Sequence, residues 1–245
     1  MNLIHNLHKP TRLVLAWQAS GDSSSARKRR AVAEIVSSEG GATLRYLVET
    51  DDFSEALKHG FDSYPAFPDM TRVYDKNVIE IFRKRLPSKK RADYRKFLLA
   101  NRISPDVDVD DVTLLGYAEA KLPSDGFSIV NPLCGLLIPS ELMVEVAGFR
   151  FYCDESSGVS LGDEVVFVDE TTNRFDMNAM AIYTRGQKIG YINRIQVKCF
   201  RNLIRRSNVI AVVERIIDFG QRKSAYVFVK LQGQKFMLPN IADIF

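Results

Sequence analysis

Arg194, Lys198, Arg201 and Arg205 recur at i, i+4, i+7 and i+11, a spacing that lines four cations along one stripe of a helix. Such a stripe either faces solvent or neutralises phosphate, and the residues alone allow both. Asp106, Asp108, Asp110 and Asp111 form an acidic run. It lacks the glycine and terminal Glu of a calcium loop and reads as the acidic start of a helix. The three histidines, His5, His8 and His59, all fall in the first quarter. No Ser–His or Cys–His pair can therefore be built in the C-terminal half. Cys134, Cys153 and Cys199 match no metal knuckle by spacing. The expectation is a chain that is not an enzyme, with no metal and no cofactor.

Two differently patterned halves must position these groups. Residues 11–17, 31–37 and 42–48 are bulky, alternating runs that predict strands. Gly40-Gly41 marks the second turn. Ser20–Arg30 is Ser-rich, then basic, and reads as a hairpin loop whose Arg27–Arg30 run either reaches phosphate or is solvated. Helices are predicted over 54–60, 77–86, 91–99 and 108–120, with Pro87 splitting the middle pair. Lys121–Pro139 is patternless and proline-containing and reads as a linker. Beyond it lie short β-rich runs at 142–152, 164–169, 179–183, 188–192, 209–217 and 225–231. One helix over 194–206 interrupts them, with Phe200, Leu203 and Ile204 inward. The expected fold class is α+β: a mixed α/β domain over 1–120, a linker over 121–140, and a small sandwich or barrel over 141–245.

The chain of 245 residues is 46% hydrophobic and 26% charged, which fits an ordinary folded protein. Its net charge is +4, but the charge is concentrated. Arg185–Lys223 holds ten Lys/Arg against Glu214 and Asp218, and Arg72–Arg102 holds eleven against Asp75, Glu80 and Asp93. Each stretch is thus +8, which attracts polyanions if it faces outward together. No apolar run approaches the roughly 20 residues that span a bilayer, and the start carries no charged region followed by a long apolar one. The expected location is the cytoplasm, with no membrane partner.

The stretch from Gly148 to Ile204 resembles the HIRAN domain. An aromatic-rich first strand is followed by the polar turn Asn173-Arg174-Phe175-Asp176-Met177-Asn178-Ala179, then by the glycine strand Ile189-Gly190-Tyr191-Ile192 running into a helix. The resemblance implies an OB-like β-barrel that captures single-stranded DNA at a free 3′-hydroxyl end. It assigns Arg150, Phe151 and Tyr152 to support of the terminal nucleotides, Phe175 to base stacking and Asp176 to the 3′-hydroxyl. Arg194 falls near a family Lys that holds phosphate, and Lys198, the next cation of the stripe, is the further candidate for nucleic-acid contact. Tyr191 stands where the family commonly has His, and its hydroxyl could still donate to phosphate. The chemistry is consistent: a carboxylate accepts from a hydroxyl and repels a 3′-phosphate, and aromatic faces stack on any base.

The first 120 residues resemble the N-terminal subdomain of HipA-type toxin kinases and their free-standing antitoxin relatives. Gly60–Met70, then Phe82, Arg85, Leu86 and Arg91, carry that likeness. No segment has room for the kinase itself, so only a binding module is implied. The leading expectation is a non-catalytic nucleic-acid-binding protein for single-stranded DNA or DNA 3′ ends, in DNA repair or in bacterial or phage defence. The alternative is a protein-interaction adaptor, an antitoxin-like accessory subunit whose protein partner carries any catalysis.

Overall fold

The computed structural model describes residues 1–21, 28–122, 125–153, 157–219 and 222–233. Most of the Ser20–Arg30 loop, including Arg27, and the chain beyond 233 lie outside the described residues. The chain divides into two compact units. One is Lys9–Asn101 with Pro105–Gly135; the other joins Met1–His8 and Arg102–Ser104 to the chain from Leu136 onward. No helix among the described residues is long and apolar enough to cross a membrane.

The Lys9–Gly135 unit is built on an antiparallel sheet of order β3-β2-β1-β4, from β1 (Arg12–Trp17), β2 (Arg30–Ser38), β3 (Gly41–Tyr46) and β4 (Phe127–Val130). The segment expected to be a linker therefore contains a strand, which pairs Val14 with Val130 and Trp17 with Phe127. The run Phe-Ser-Ile-Val is too short to announce itself, and pairing beside β1 rather than local pattern makes it a strand. Ala42, Leu44 and Tyr46 alternate inward along β3. They meet an aromatic cluster in which Tyr64 lies 4.9 Å from Phe82 and 5.0 Å from Phe127 between ring centroids. Helices α1 (Asp51–Lys58), α2 (Val78–Arg83), α3 (Tyr94–Ala100) and α4 (Asp111–Tyr117) complete the unit. The acidic run is a helix start, as expected: Asp110 caps α4 by accepting from the Thr113 amide at 2.8 Å. Arg30, expected in the exposed basic run, is instead buried at the start of β2.

Arg85 is a second buried cation of this unit. It donates twice to Asp125 at 2.8 Å, to the Ala120 carbonyl at 2.8 Å and to the Phe127 carbonyl at 2.7 Å. Arg85 is thus a tie between the end of α2 and the start of β4.

The other unit holds two antiparallel three-stranded sheets. One has order β5-β10-β9, from β5 (Ser140–Glu145), β9 (Asn208–Phe219) and β10 (Arg222–Gln232). The second has order β6-β7-β8, from β6 (Val166–Asp169), β7 (Met180–Thr184) and β8 (Gln187–Tyr191). Among the described residues the two sheets do not close into the OB-like barrel expected from sequence. The backbone pairings described between them are isolated bridges, Ala147 with Tyr191 and Glu164 with Val212. Continuous ladders stop there because the chain leaves β5 into a short helix and enters β6 from a turn. Ala225, Val227, Val229 and Leu231 of β10 are fully buried and form the spine of the core.

The first eight residues are fastened within this second unit. Glu214 accepts from the Asn2 amide at 3.2 Å and from Asn2 Nδ2 at 2.6 Å. Glu141 accepts from the Asn6 amide at 2.9 Å and from Asn6 Nδ2. Two buried carboxylates, unreadable as partners from sequence, thereby gain donors at a distance of more than a hundred residues.

Candidate nucleic-acid interface

The loop between β6 and β7 is shaped by side chains folding back on its own backbone. Asn173 Oδ1 accepts from the amides of Phe175 at 2.9 Å and Asp176 at 3.2 Å. Asp176 Oδ1 then accepts from the Asn178 amide at 2.9 Å. These are two Asx turns in series, the local bonding that Asn and Asp favour. They push the Phe175 side chain outward, where it is 94% exposed. Asp176 is half-buried, and its Oδ2 takes no part in the turn bond.

The second group of aromatics sits on a short helix, α5 (Phe149–Tyr152), and not on the strand expected there. Gly148 starts it with φ of 81°, a left-handed conformation that suits glycine. Phe149 turns into the core, while Phe151 is 61% exposed and Tyr152 more than one-third exposed. The Arg150 guanidinium lies 4.7 Å from the Phe151 ring centroid, presenting a cation and an aromatic face together.

Tyr191 ties the two groups. Its hydroxyl donates to Glu170 Oε2 at 2.7 Å. It accepts from Lys188 Nζ at 3.0 Å and from Asn173 Nδ2 at 3.1 Å, with the Tyr152 hydroxyl 3.4 Å away. The Tyr152 and Tyr191 rings meet edge to face at 5.6 Å. Lys188 also bonds Glu170 at 2.9 Å and stands 5.1 Å and 5.2 Å from the two ring centroids. Hydrogen bonds from Tyr191, Lys188 and Asn173 hold the Glu170 carboxyl down at about 2. The Lys188 ammonium is raised by its bonds to Tyr191 and Glu170. Partial burial and the Tyr152 contact push the Tyr191 phenol up to about 12. In this structure the Tyr191 proton is directed to Glu170.

The cationic stripe is divided. Arg194 lies in the turn before α6 (Val197–Arg205) and not within it. Arg201 bonds Asp169 at 2.7 Å and the Asn178 carbonyl at 2.8 Å, and Arg205 reaches Asp169 at 3.3 Å. Those two cations hold α6 to β6 and to the Phe175 loop. Lys198 is exposed and Arg194 half-buried, so only part of the stripe serves as a tether.

Glu170, Lys188 and Arg201 escaped the sequence reading as members of one site. Lys188 and Tyr191 are three apart on a strand, which ordinarily places them on opposite faces. A bulge reverses this: Ile182 pairs with Gly190 and Tyr183 with Lys188, leaving Ile189 as the extra residue. Among the described residues no cluster of three His, Cys, Asp or Glu side chains is placed to hold a metal.

No curated protein matches this chain. Among solved structures, the HIRAN domain of human HLTF is 19% identical, with a TM-score of 0.31, over 39% of this chain and 77% of its own. A protein from Lactobacillus plantarum is 23% identical, with a TM-score of 0.29, over 36% of this chain and 91% of its own. It is the segment 140–235, carrying both exposed aromatic groups and the Tyr191 network, that matches the HIRAN domain.

Proposed function

We propose that the segment 140–235 binds single-stranded DNA without catalysis and selects a 3′-hydroxyl end. The observation that carries this reading is Phe175, an almost fully exposed ring held by its backbone beside the Asp176 carboxylate. A base stacks on Phe175, and Phe151 and Tyr152 offer further faces for the preceding nucleotides. Asp176 Oδ2 accepts the terminal hydroxyl proton, and a phosphate in its place meets like charge. Arg150 and Lys198, with Arg194 at the head of α6, supply phosphate contacts. Handling of DNA ends in repair or in bacterial or phage defence fits such a site, with any chemistry performed by a protein partner. On sequence likeness, the Lys9–Gly135 unit serves as an accessory binding module.

The test is fluorescence anisotropy of the full chain with an oligothymidine ending in 3′-hydroxyl or 3′-phosphate. Preference for the hydroxyl, abolished in Asp176→Ala, supports end recognition. Equal affinity for both ends leaves a general single-strand binder. Absence of binding to either turns the reading to the adaptor alternative.

A further inference from the structure

We infer that Tyr191 is a positioning residue that locks the Phe175–Asp176 turn to the Tyr152 platform through Asn173, and so sets end selectivity without itself touching DNA. Its influence on end choice rests on the reading proposed above; the coupling of the two elements stands apart from it.

Asn173 faces both ways. Its Oδ1 holds the amides of Phe175 and Asp176, while its Nδ2 donates to Glu170 Oε2 at 2.7 Å and to the Tyr191 hydroxyl at 3.1 Å. The orientation of this one amide group therefore fixes the turn to the floor beneath it. The floor is rigid because each polar atom has an assigned role. Glu170 takes the single Tyr191 proton, Lys188 neutralises Glu170, and the Lys188 ammonium approaches both tyrosine rings. Tyr191 itself is fixed by backbone bonds in both directions with Ala147, at 2.8 Å and 2.9 Å, one residue before the Gly148 that starts α5. One residue thus touches the segment leading to the aromatic helix by its backbone and the end-reading turn by its hydroxyl. A difference of under 1 Å in where Asp176 sits decides whether its carboxylate meets a terminal hydroxyl.

The experiment compares wild type, Tyr191→Phe and Asn173→Asp in the full chain. Tyr191→Phe removes only the hydroxyl. Asn173→Asp keeps an acceptor for the two turn amides and loses the donor to Tyr191 and Glu170. Thermal unfolding first establishes that both variants fold. Two quantities are then read: amide hydrogen exchange at Phe175, Asp176 and Asn178, and the ratio of affinities for 3′-hydroxyl and 3′-phosphate oligothymidine. Faster exchange at those amides in Tyr191→Phe is expected, together with a loss of about tenfold in end preference, the worth of one net hydrogen bond. Asn173→Asp is expected to lose similar preference, and the double variant little more than either alone. Unchanged exchange and unchanged preference in Tyr191→Phe would overturn the inference and leave the proposed function standing. If wild type shows no end preference, the 3′-end reading fails, and exchange at the three amides alone decides the coupling: faster supports it, unchanged refutes it.

Discussion

The amide of Phe175 donates to Asn173 Oδ1 at 2.9 Å, while the Phe175 ring itself is 94% exposed. Backbone order and side-chain solvation are thus combined in one residue. An apolar ring of this size left in water makes no contribution to the core, so its cost and its use must lie elsewhere.

Phe175→Ala is accordingly expected to leave thermal stability within about 0.5 kcal/mol of wild type. Affinity for oligothymidine should fall by ~1–3 kcal/mol, the usual worth of one base stacked on an aromatic face. Thermal unfolding and anisotropy titration of the same preparation separate the two effects. A large loss of stability would instead mark Phe175 as a packing residue.

Arg85 behaves in the opposite way. Its side chain is 2% exposed and its partner Asp125 31% exposed, with two carbonyls completing its hydrogen bonds. Burial works to raise the Asp125 carboxyl, but the hydrogen bonds and charge of Arg85 hold it below its usual range. Arg85→Met removes every donor and leaves Asp125 and two carbonyls unserved, which typically costs about 3–5 kcal/mol. Chemical denaturation of the Lys9–Gly135 unit within the full chain checks this, and Arg85→Lys should recover only part because it cannot bond Asp125 as a fork.

These two residues show what the sequence makes legible. The turn Asn173–Ala179 is written in local bonding, so its Asn and Asp residues announce a turn, while it is the HIRAN resemblance that singles out Phe175 and Asp176 within it. The strand β4 and the fastening of Asn2 and Asn6 are non-local, and no residue near them signals the partner. The short helix over 149–152 reads as strand because aromatic residues favour strands, while Gly148 at positive φ starts a helical turn there. The expectation of a closed barrel failed for a similar reason. Strand-forming runs are visible in a sequence, but whether two sheets join by ladders or by isolated bridges depends on the bends between them.

Gly190 is the bend on which the site depends. Its φ is +150°, and a Cβ there would lie 2.6 Å from the Ala147 carbonyl oxygen, a backbone atom that cannot swing away. Gly190→Ala is therefore expected to push Ala147 from Tyr191, destabilise the unit by roughly 2 kcal/mol or more, and move the Tyr191 hydroxyl off Glu170. Ultraviolet absorption of the tyrosinate during alkaline titration reports the second effect: the late-titrating phenol of Tyr191 should shift toward the ordinary value near 10.

The pH dependence of the site follows from the same hydrogen bonds. Glu170 is held at about 2 in the folded chain against 4.5 ordinarily, so the folded state favours its ionised form. A depressed carboxyl contributes stability that is present above pH 4.5 and is lost as pH falls toward 2. Tyr191 is raised to about 12, so its neutral form is favoured; that contribution is complete below pH 10 and disappears as pH rises toward 12. Between those limits neither Glu170 nor Tyr191 changes protonation, and no histidine lies in the segment. The turn amides of Phe175 and Asp176 should keep their chemical shifts from pH 5 to pH 9, once intrinsic effects are subtracted. They should move between pH 4.5 and 2 as Glu170 takes a proton and releases Asn173 Nδ2. Glu170→Gln is expected to diminish the acid transition at these amides while leaving the alkaline one, since the amide still accepts from Tyr191. A transition near pH 6.5 in wild type would require a different titrating group and would place the control of the turn outside this network.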